Sequence, residues 1–100
     1  MNFLRKILAI FLILFLALNS YSQPKKTLEK AKNGDAKAQF EAGMIYYQGK
    51  DLDKDYEEAV FWFNKSGAQG NAEAQNKLGL MYLLGRGVEK NLELAAFWYQ

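Results

Sequence analysis

The sequence predicts an all-α protein, a helical-repeat solenoid preceded by a short apolar N-terminal segment. Residues 34–64 align with residues 70–100 at a constant offset of 36 residues, without a gap. Within each copy, small and apolar residues recur at helical spacing, and helix-capping residues precede both periodic stretches. Self-similarity at a fixed period of this size is typical of stacked helical repeats.

Residues 1–22 have the features of a secretory signal peptide. Two basic residues near the start are followed by 12 consecutive apolar residues at 7–18. Ser20 and Ser22 supply the small residues that suit cleavage after Ser22. A membrane-spanning helix needs about 17 to 25 apolar residues, more than this run contains. We therefore expect an exported protein, periplasmic or secreted, with a mature chain that begins at Gln23. The alternative is a chain tethered to the membrane by an uncleaved signal anchor.

Composition excludes several function classes. The 13 Lys and Arg residues exceed the 11 Asp and Glu residues by +2, but Arg5 and Lys6 account for that excess. Residues 23–100 are therefore formally neutral, which argues against nucleic-acid binding through bulk positive charge. Cysteine and histidine are both absent. Their absence excludes zinc fingers, thiol enzymes, Ser-His-Asp triads and disulfide-stapled scaffolds.

The 36-residue period divides the remaining chain into three segments. Residues 23–33 are predicted to form the end of a preceding or capping helix, because Glu29–Gly34 aligns with Lys65–Gly70 at the end of the second helix one period later. The first repeat is assigned to residues 34–69 and the second to residues 70–100. Because Gln100 lies six residues before the matching glycine would occur, we expect further repeats beyond it. We also expect residues 23–100 alone to unfold with weak cooperativity or to self-associate through Phe97, Trp98 and Tyr99.

Each repeat begins with a predicted helix. Asp35 and Asn71 are the expected N-caps, and each follows a glycine that suits the left-handed residue closing the previous helix. The two helices are predicted to run to about Gln48 and Leu84. On the first of them, small and polar residues share one face at helical spacing and are predicted to be buried: Gln39, Ala42, Gly43 and Tyr46.

The second helix of each repeat also has a capping residue. Asp55 and Asn91 occupy equivalent positions. Glu58 is predicted to complete a capping box with Asp55, whereas Leu94 cannot do so with Asn91. The packed stripe of the second helix in the first repeat is predicted to contain Ala59, Trp62, Phe63 and Ser66.

The loop between the two helices is predicted to need a left-handed residue. Asp51 aligns with Gly87, and Asp enters the left-handed region more readily than most residues. Alternating aspartates from Asp51 to Asp55 are also compatible with the start of a calcium-binding loop. However, Tyr56 and Trp62 stand where an EF-hand needs glycine and glutamate, so we expect no metal ion there.

The second repeat has a distinctive combination of motifs, made of Ala72, Ala74-Gln75, Leu78-Gly79, Tyr82, Gly85-Arg86-Gly87-Val88, Asn91, Ala95 and Trp98. At these residues the sequence resembles the Sel-1-like repeat family, which is related to the tetratricopeptide repeats. Tetratricopeptide repeats have a period of 34 residues rather than 36. The first repeat departs from the pattern at Ala42 and Asp51. The resemblance implies a tetratricopeptide-like superhelix of antiparallel helix pairs that acts as a protein-interaction scaffold or adaptor.

No residue pattern predicts catalysis. Ser66 and Thr27 are the only hydroxyl nucleophiles of the Ser or Thr type after Ser22, and neither has a histidine to activate it. We therefore expect a protein that is not an enzyme and that needs no cofactor and no metal. The alternative is an exported enzyme or a cell-wall-active accessory protein, as the resemblance to cysteine-rich relatives would imply. The absence of cysteine leaves that alternative without support.

The candidate binding residues lie on the first helices. In helical solenoids these helices usually line the concave side, which binds partner proteins or peptides. The predicted site consists of the anchors Phe40, Met44 and Tyr47 with the flanking residues Lys37, Glu41, Glu73, Lys77 and Leu80. In the alternative interpretation, the three anchors pack against the helix at 25–33 as part of an N-terminal cap. The expected partner is a protein or peptide and not nucleic acid, and membrane contact is expected only through the signal peptide during export.

Overall fold

A computed structural model describes residues 2–100, with the side chains of residues 19–23 excepted. Five α-helices follow one another in this range and no strand occurs within it: α1 (Asn2–Lys32), α2 (Ala36–Gln48), α3 (Tyr56–Ala68), α4 (Ala72–Leu84) and α5 (Leu92–Tyr99). Each helix packs on the next one along the chain. The predicted all-α solenoid of antiparallel helix pairs is confirmed, and its two pairs are α2–α3 and α4–α5.

The first helix is continuous across the boundary predicted between residues 1–22 and 23–33. The large apolar side chains of its N-terminal half are exposed, except for the half-buried Ile7, and Phe3 has the largest exposed fraction among them, 73%. Over the residues that the structure describes, no helix is long and apolar enough to cross a membrane. The predicted cleavage site after Ser22 falls within residues 19–23, whose side chains the structure does not describe. Cleavage there therefore stays a prediction.

The predicted caps of α2 and α4 are confirmed. The Asp35 carboxylate accepts a hydrogen bond from the backbone N–H three residues on, at 3.0 Å, and the Asn71 side chain does the same at 2.9 Å. Gly49 and Gly85 end the two helices in the left-handed region, with φ of 68° and 69°. Glycine adopts this backbone conformation without steric cost. Since the two glycines are 36 residues apart, α2 and α4 end at equivalent positions.

The capping box predicted at Asp55 and Glu58 is only half formed. The Asp55 carboxylate accepts from the Glu58 backbone N–H at 3.0 Å, but the Asp55 backbone N–H donates to the Tyr46 carbonyl at 2.9 Å. Asn91 donates to the Tyr82 carbonyl at the same distance. Since a backbone carbonyl satisfies this N–H in both repeats, no glutamate side chain is needed at the third position of α3 or α5.

The Glu58 carboxylate instead influences Tyr46. Burial raises the pKa of the Tyr46 hydroxyl, and the nearby negative charges of Glu58 and Asp55 add to this rise. Tyr46 is half-buried and packs against both groups of buried side chains in the stack. Tyr82, 36 residues further on, also packs against the first of these groups. Each repeat therefore has a tyrosine at this position of its first helix.

The predicted packed stripe of α3 is confirmed. Its four members are buried, and Ala59, Phe63 and Ser66 are fully so. Gly43 permits the close approach of α2 and α3, because a Cβ built there would lie 2.5 Å from the Phe63 ring. Gly79 has the same relation to Tyr99, where a Cβ would lie 3.0 Å from the ring. A glycine of α2 or α4 therefore faces an aromatic ring of the following helix.

Glutamine side chains, buried at Gln39 and half-buried at Gln75, join successive helix pairs. The Gln39 amide donates to the Ala31 carbonyl of α1 at 3.2 Å, and the Gln75 amide donates to the Gly67 carbonyl of α3 at 3.0 Å. These bonds are one period apart, so the last turns of α1 have the relation to α2 that α3 has to α4. The Gln39 side-chain oxygen also accepts from the Gln69 amide at 2.7 Å, which links α1, α2 and the end of α3.

Trp62 packs against two helices besides its own. It lies in a buried cluster with Ala31 of α1 and with Ala38 and Ala42 of α2. The three alanines make room for the indole ring. The indole N–H of Trp62 has no hydrogen-bond acceptor among the described residues, so its contribution to stability comes from packing.

The predicted left-handed loop positions are confirmed. Asp51 has a φ of 69° and Gly87 a φ of 71°. Gly87 has a second constraint, because a Cβ added there would collide with the backbone carbonyl of Tyr56 at the start of α3. Glycine is therefore required at position 87 for both backbone conformation and space.

This difference yields a stability prediction. Gly87→Val is expected to lower the free energy of unfolding by about 2 kcal/mol or more, because a β-branched residue is strained at this φ and meets the Tyr56 carbonyl. Asp51→Gly is the matched control and should change it by less than about 1 kcal/mol. Urea unfolding followed by circular dichroism measures both. Equal stability of Gly87→Val and the wild type would contradict the loop geometry.

Candidate functional site

The three predicted anchors are half-buried rather than free on the surface. Phe40, Met44 and Tyr47 pack against the core formed by α3 and α4. The ring centroid of Phe63 lies 5.8 Å from that of Phe40 and 6.4 Å from that of Tyr47. The large Phe63 ring crosses over Gly43 and reaches the flank of α2, so the buried face of α2 is wider than its spacing pattern indicates.

Part of the predicted site nevertheless lines a surface groove, which we call the α1–α2 groove. Its volume is about 260 Å³. Phe40, Glu41 and Met44 of α2 line it together with Pro24 and Thr27 of α1. Residues from the end of α2 and the loop that follows complete the lining: Ile45, Gln48, Lys50 and Asp51. The groove thus combines apolar walls with charged and amide groups at its edge.

A larger cavity of about 640 Å³ lies between α1 and the loop that joins α2 to α3. It shares Pro24 and Asp51 with the α1–α2 groove, and its other lining residues are Lys25, Leu28, Glu29, Lys32 and Leu52. Its basic and acidic side chains are equal in number. In the second repeat, by contrast, the loop closes at Gly87 on the start of α3.

Two other predicted site residues meet away from the groove. The Lys77 ammonium lies 5.1 Å from the ring centroid of Tyr47, and the Tyr47 hydroxyl accepts a hydrogen bond of 2.7 Å from an Arg86 guanidinium nitrogen. The Tyr47 and Tyr56 ring centroids are 5.3 Å apart. Arg86 and Lys54 also lie over the Tyr56 ring, at 5.7 and 5.5 Å. We call these five residues the tyrosine–cation cluster.

The remaining predicted site residues join neither place. Lys37 and Glu73 are exposed and Leu80 is half-buried. Five residues of the groove and the cluster were not predicted from the sequence: Pro24, Thr27, Lys54, Tyr56 and Arg86. Their positions depend on how one repeat stacks on the next. A repeat period alone gives no measure of that stacking, although the aromatic residue directly after the Asp55 cap was an available signal.

The two hydroxyl side chains considered for catalysis, those of Ser66 and Thr27, lie in different places. The Ser66 hydroxyl is fully buried and donates to the Ala36 carbonyl at 2.6 Å, so it links α3 to the first turn of α2. Thr27 is half-buried in the wall of the α1–α2 groove. Within the described part of the chain, no group of three or more acidic, histidine or cysteine residues could hold a metal ion.

The stack of antiparallel helix pairs with repeated caps and glutamine junctions defines an α-solenoid. The family model described as Sel1 repeat matches residues 36–71 and 72–100. The chain therefore belongs to the Sel1 repeat family. Members of this family generally act as protein-interaction scaffolds. Both matched repeats begin two residues after the glycines with which the predicted repeats begin.

Several Sel1-type proteins are similar to this chain. It is 45% identical over 38 residues to the secretory immunoglobulin A-binding protein EsiB of Escherichia coli O6:H1 strain CFT073, a match that covers 38% of this chain and 8% of EsiB. The crystal structure of c5321, a protective antigen with an SLR fold from uropathogenic Escherichia coli, has a TM-score of 0.73 and 39% identity, covering 77% of this chain and 16% of c5321.

A Sel1 repeat protein from Oxalobacter formigenes has a TM-score of 0.74 and 38% identity, covering 76% of this chain and 31% of the other. This chain therefore spans less than a third of the length of each of these three relatives. Together, the family match and the two crystal structures support the repeat assignment along the solenoid portion of the chain.

The burial of the anchors predicts a cost for removing them. Replacing Phe40 and Tyr47 together by serine is expected to lower the free energy of unfolding by about 2–4 kcal/mol, because two half-buried aromatic rings lose their packing on Phe63. Leu83→Ser, at a side chain that is 40% exposed on α4, should cost less than about 1 kcal/mol. Urea unfolding compares the variants. An unchanged double variant would show that both rings lie free in solvent.

Proposed function

We propose that the chain is an exported, non-enzymatic scaffold or adaptor that takes a protein or peptide partner in the α1–α2 groove. The observation that carries this proposal is the α1–α2 groove, where apolar side chains of Phe40 and Met44 line an open space of about 260 Å³. An apolar wall edged by polar groups suits a peptide side chain, since apolar burial supplies affinity and the edge supplies orientation.

Family membership supports the same function, because Sel1 repeat proteins generally mediate protein–protein interactions. The name of EsiB describes binding to another protein, secretory immunoglobulin A. Export is supported by the basic and apolar pattern of residues 1–22. The absence of a catalytic role is supported by Ser66, whose buried hydroxyl is engaged by a backbone carbonyl.

A site-specific crosslinking experiment in the native organism tests the proposal. Gln48 is exposed at the edge of the α1–α2 groove and is replaced by a photo-crosslinking side chain. Asn64, which is exposed on α3 and lines neither cavity, receives the same side chain as the matched control. Irradiation should give a discrete heavier adduct from position 48 that is absent from position 64, detected by immunoblotting and identified by mass spectrometry.

Two outcomes of this experiment would contradict the proposal. Adducts of equal yield at both positions would show non-specific collision, and adducts from position 64 alone would place the partner on another surface. Met44→Gln should reduce the adduct from position 48, because it makes the groove wall polar while keeping a side chain of similar length.

A further inference from the structure

We infer that the tyrosine–cation cluster is a carboxylate-binding site that takes an acidic segment of a partner protein. This inference rests on the proposed scaffold function and specifies the chemistry of the partner. Its basis is the placement of three cationic side chains around two neighbouring tyrosine rings. The rings belong to α2 and to the start of α3. The cations belong to the α2–α3 loop, to α4 and to the α4–α5 loop.

Arg86 has the geometry of the principal anion-binding group. A guanidinium has five N–H donors in a planar fork, and the Tyr47 hydroxyl accepts from one nitrogen at 2.7 Å. The guanidinium carbon also lies 5.7 Å from the Tyr56 ring centroid. These two contacts orient an otherwise flexible side chain and leave further N–H donors for a carboxylate, which matches the fork in a bidentate pair.

The two lysines add charge at either side. Lys77 lies over the Tyr47 ring at 5.1 Å and Lys54 over the Tyr56 ring at 5.5 Å. Contacts between cations and aromatic faces hold these groups near the surface without neutralising them. The contacts with the tyrosine rings already restrict the two lysine side chains. Binding an acidic side chain therefore costs less side-chain entropy than it would at freely moving lysines.

The charge of the surroundings favours an acidic protein segment over a nucleic acid. Residues 23–100 are formally neutral, so their bulk charge supplies no net attraction for a phosphate backbone. Glu57 and Glu58 directly follow Tyr56 in the first turn of α3. Their negative charges disfavour a densely charged polyanion more than they disfavour a single carboxylate.

The test measures peptide binding by the full chain in an uncharged detergent, which covers the exposed apolar side chains of α1. The probe is a fluorescein-labelled peptide of alternating Glu and Gly, and the comparison peptide has Gln in place of every Glu. Fluorescence anisotropy at low salt should show binding of the Glu peptide and at least about tenfold weaker binding of the Gln peptide, as expected when charge-assisted hydrogen bonds are lost.

Variants separate this site from general attraction of charge. Arg86→Gln should weaken binding about tenfold, and Arg86→Lys should weaken it as well, because the charge remains but the fork is lost. Tyr47→Phe keeps the ring and removes only the hydroxyl that orients Arg86, so a smaller loss is expected. Lys65→Gln is the matched control, since Lys65 lies over the Phe61 ring at 5.1 Å outside the cluster, and it should leave affinity unchanged.

Three outcomes would overturn the inference: no binding of the Glu peptide, an equal loss in Lys65→Gln and Arg86→Gln, or tighter binding of a phosphoserine peptide or a single-stranded oligonucleotide. The scaffold proposal fails separately. A specific crosslink from Gln48 that persists in Arg86→Gln, combined with no binding of the Glu peptide, would retain the scaffold and reject the carboxylate site. Loss of the crosslink specificity at Gln48 would instead contradict the scaffold proposal itself.

Discussion

The buried Gln39 side chain is the constraint on which the arrangement of the first repeat depends. It donates to the Ala31 carbonyl of α1 and accepts from Gln69 at the end of α3. Gln69 in turn donates to the Gly34 carbonyl at 3.0 Å, in the turn that joins α1 to α2. A buried amide without partners is costly, so this connected set strongly favours one relative placement of the three helices.

Each candidate site depends on one junction between successive helices of the stack. The α1–α2 groove exists only while Pro24 and Thr27 of α1 stand opposite Phe40 and Met44 of α2. The tyrosine–cation cluster depends on the next junction, where the Gln75 amide and the close fit at Gly87 fix α4 and its loop against α3. Both candidate surfaces therefore arise where one helix pair meets the next element of the stack.

Local features could be predicted from the sequence, and features of stacking could not. The caps at Asp35 and Asn71, the left-handed Asp51 and the buried stripe of α3 follow from short-range rules of backbone conformation and periodicity. The half-burial of Phe40 and Tyr47 does not, because it results from the reach of Phe63 across Gly43. Likewise, the missing half of the capping box reflects a backbone bond from Asp55 to the preceding helix, which no local pattern reveals.

Amide hydrogen–deuterium exchange of residues 25–32 tests most directly whether α1 is docked as part of the stack. The account predicts protection of these amides similar to that of α2, and a selective loss of it in Gln39→Ala, because that change removes the bond to Ala31. Gln48→Ala, at an exposed position of the same helix, should leave the exchange unchanged. Rapid exchange over residues 25–32 in the wild type, or protection that is identical in Gln39→Ala, would contradict the account.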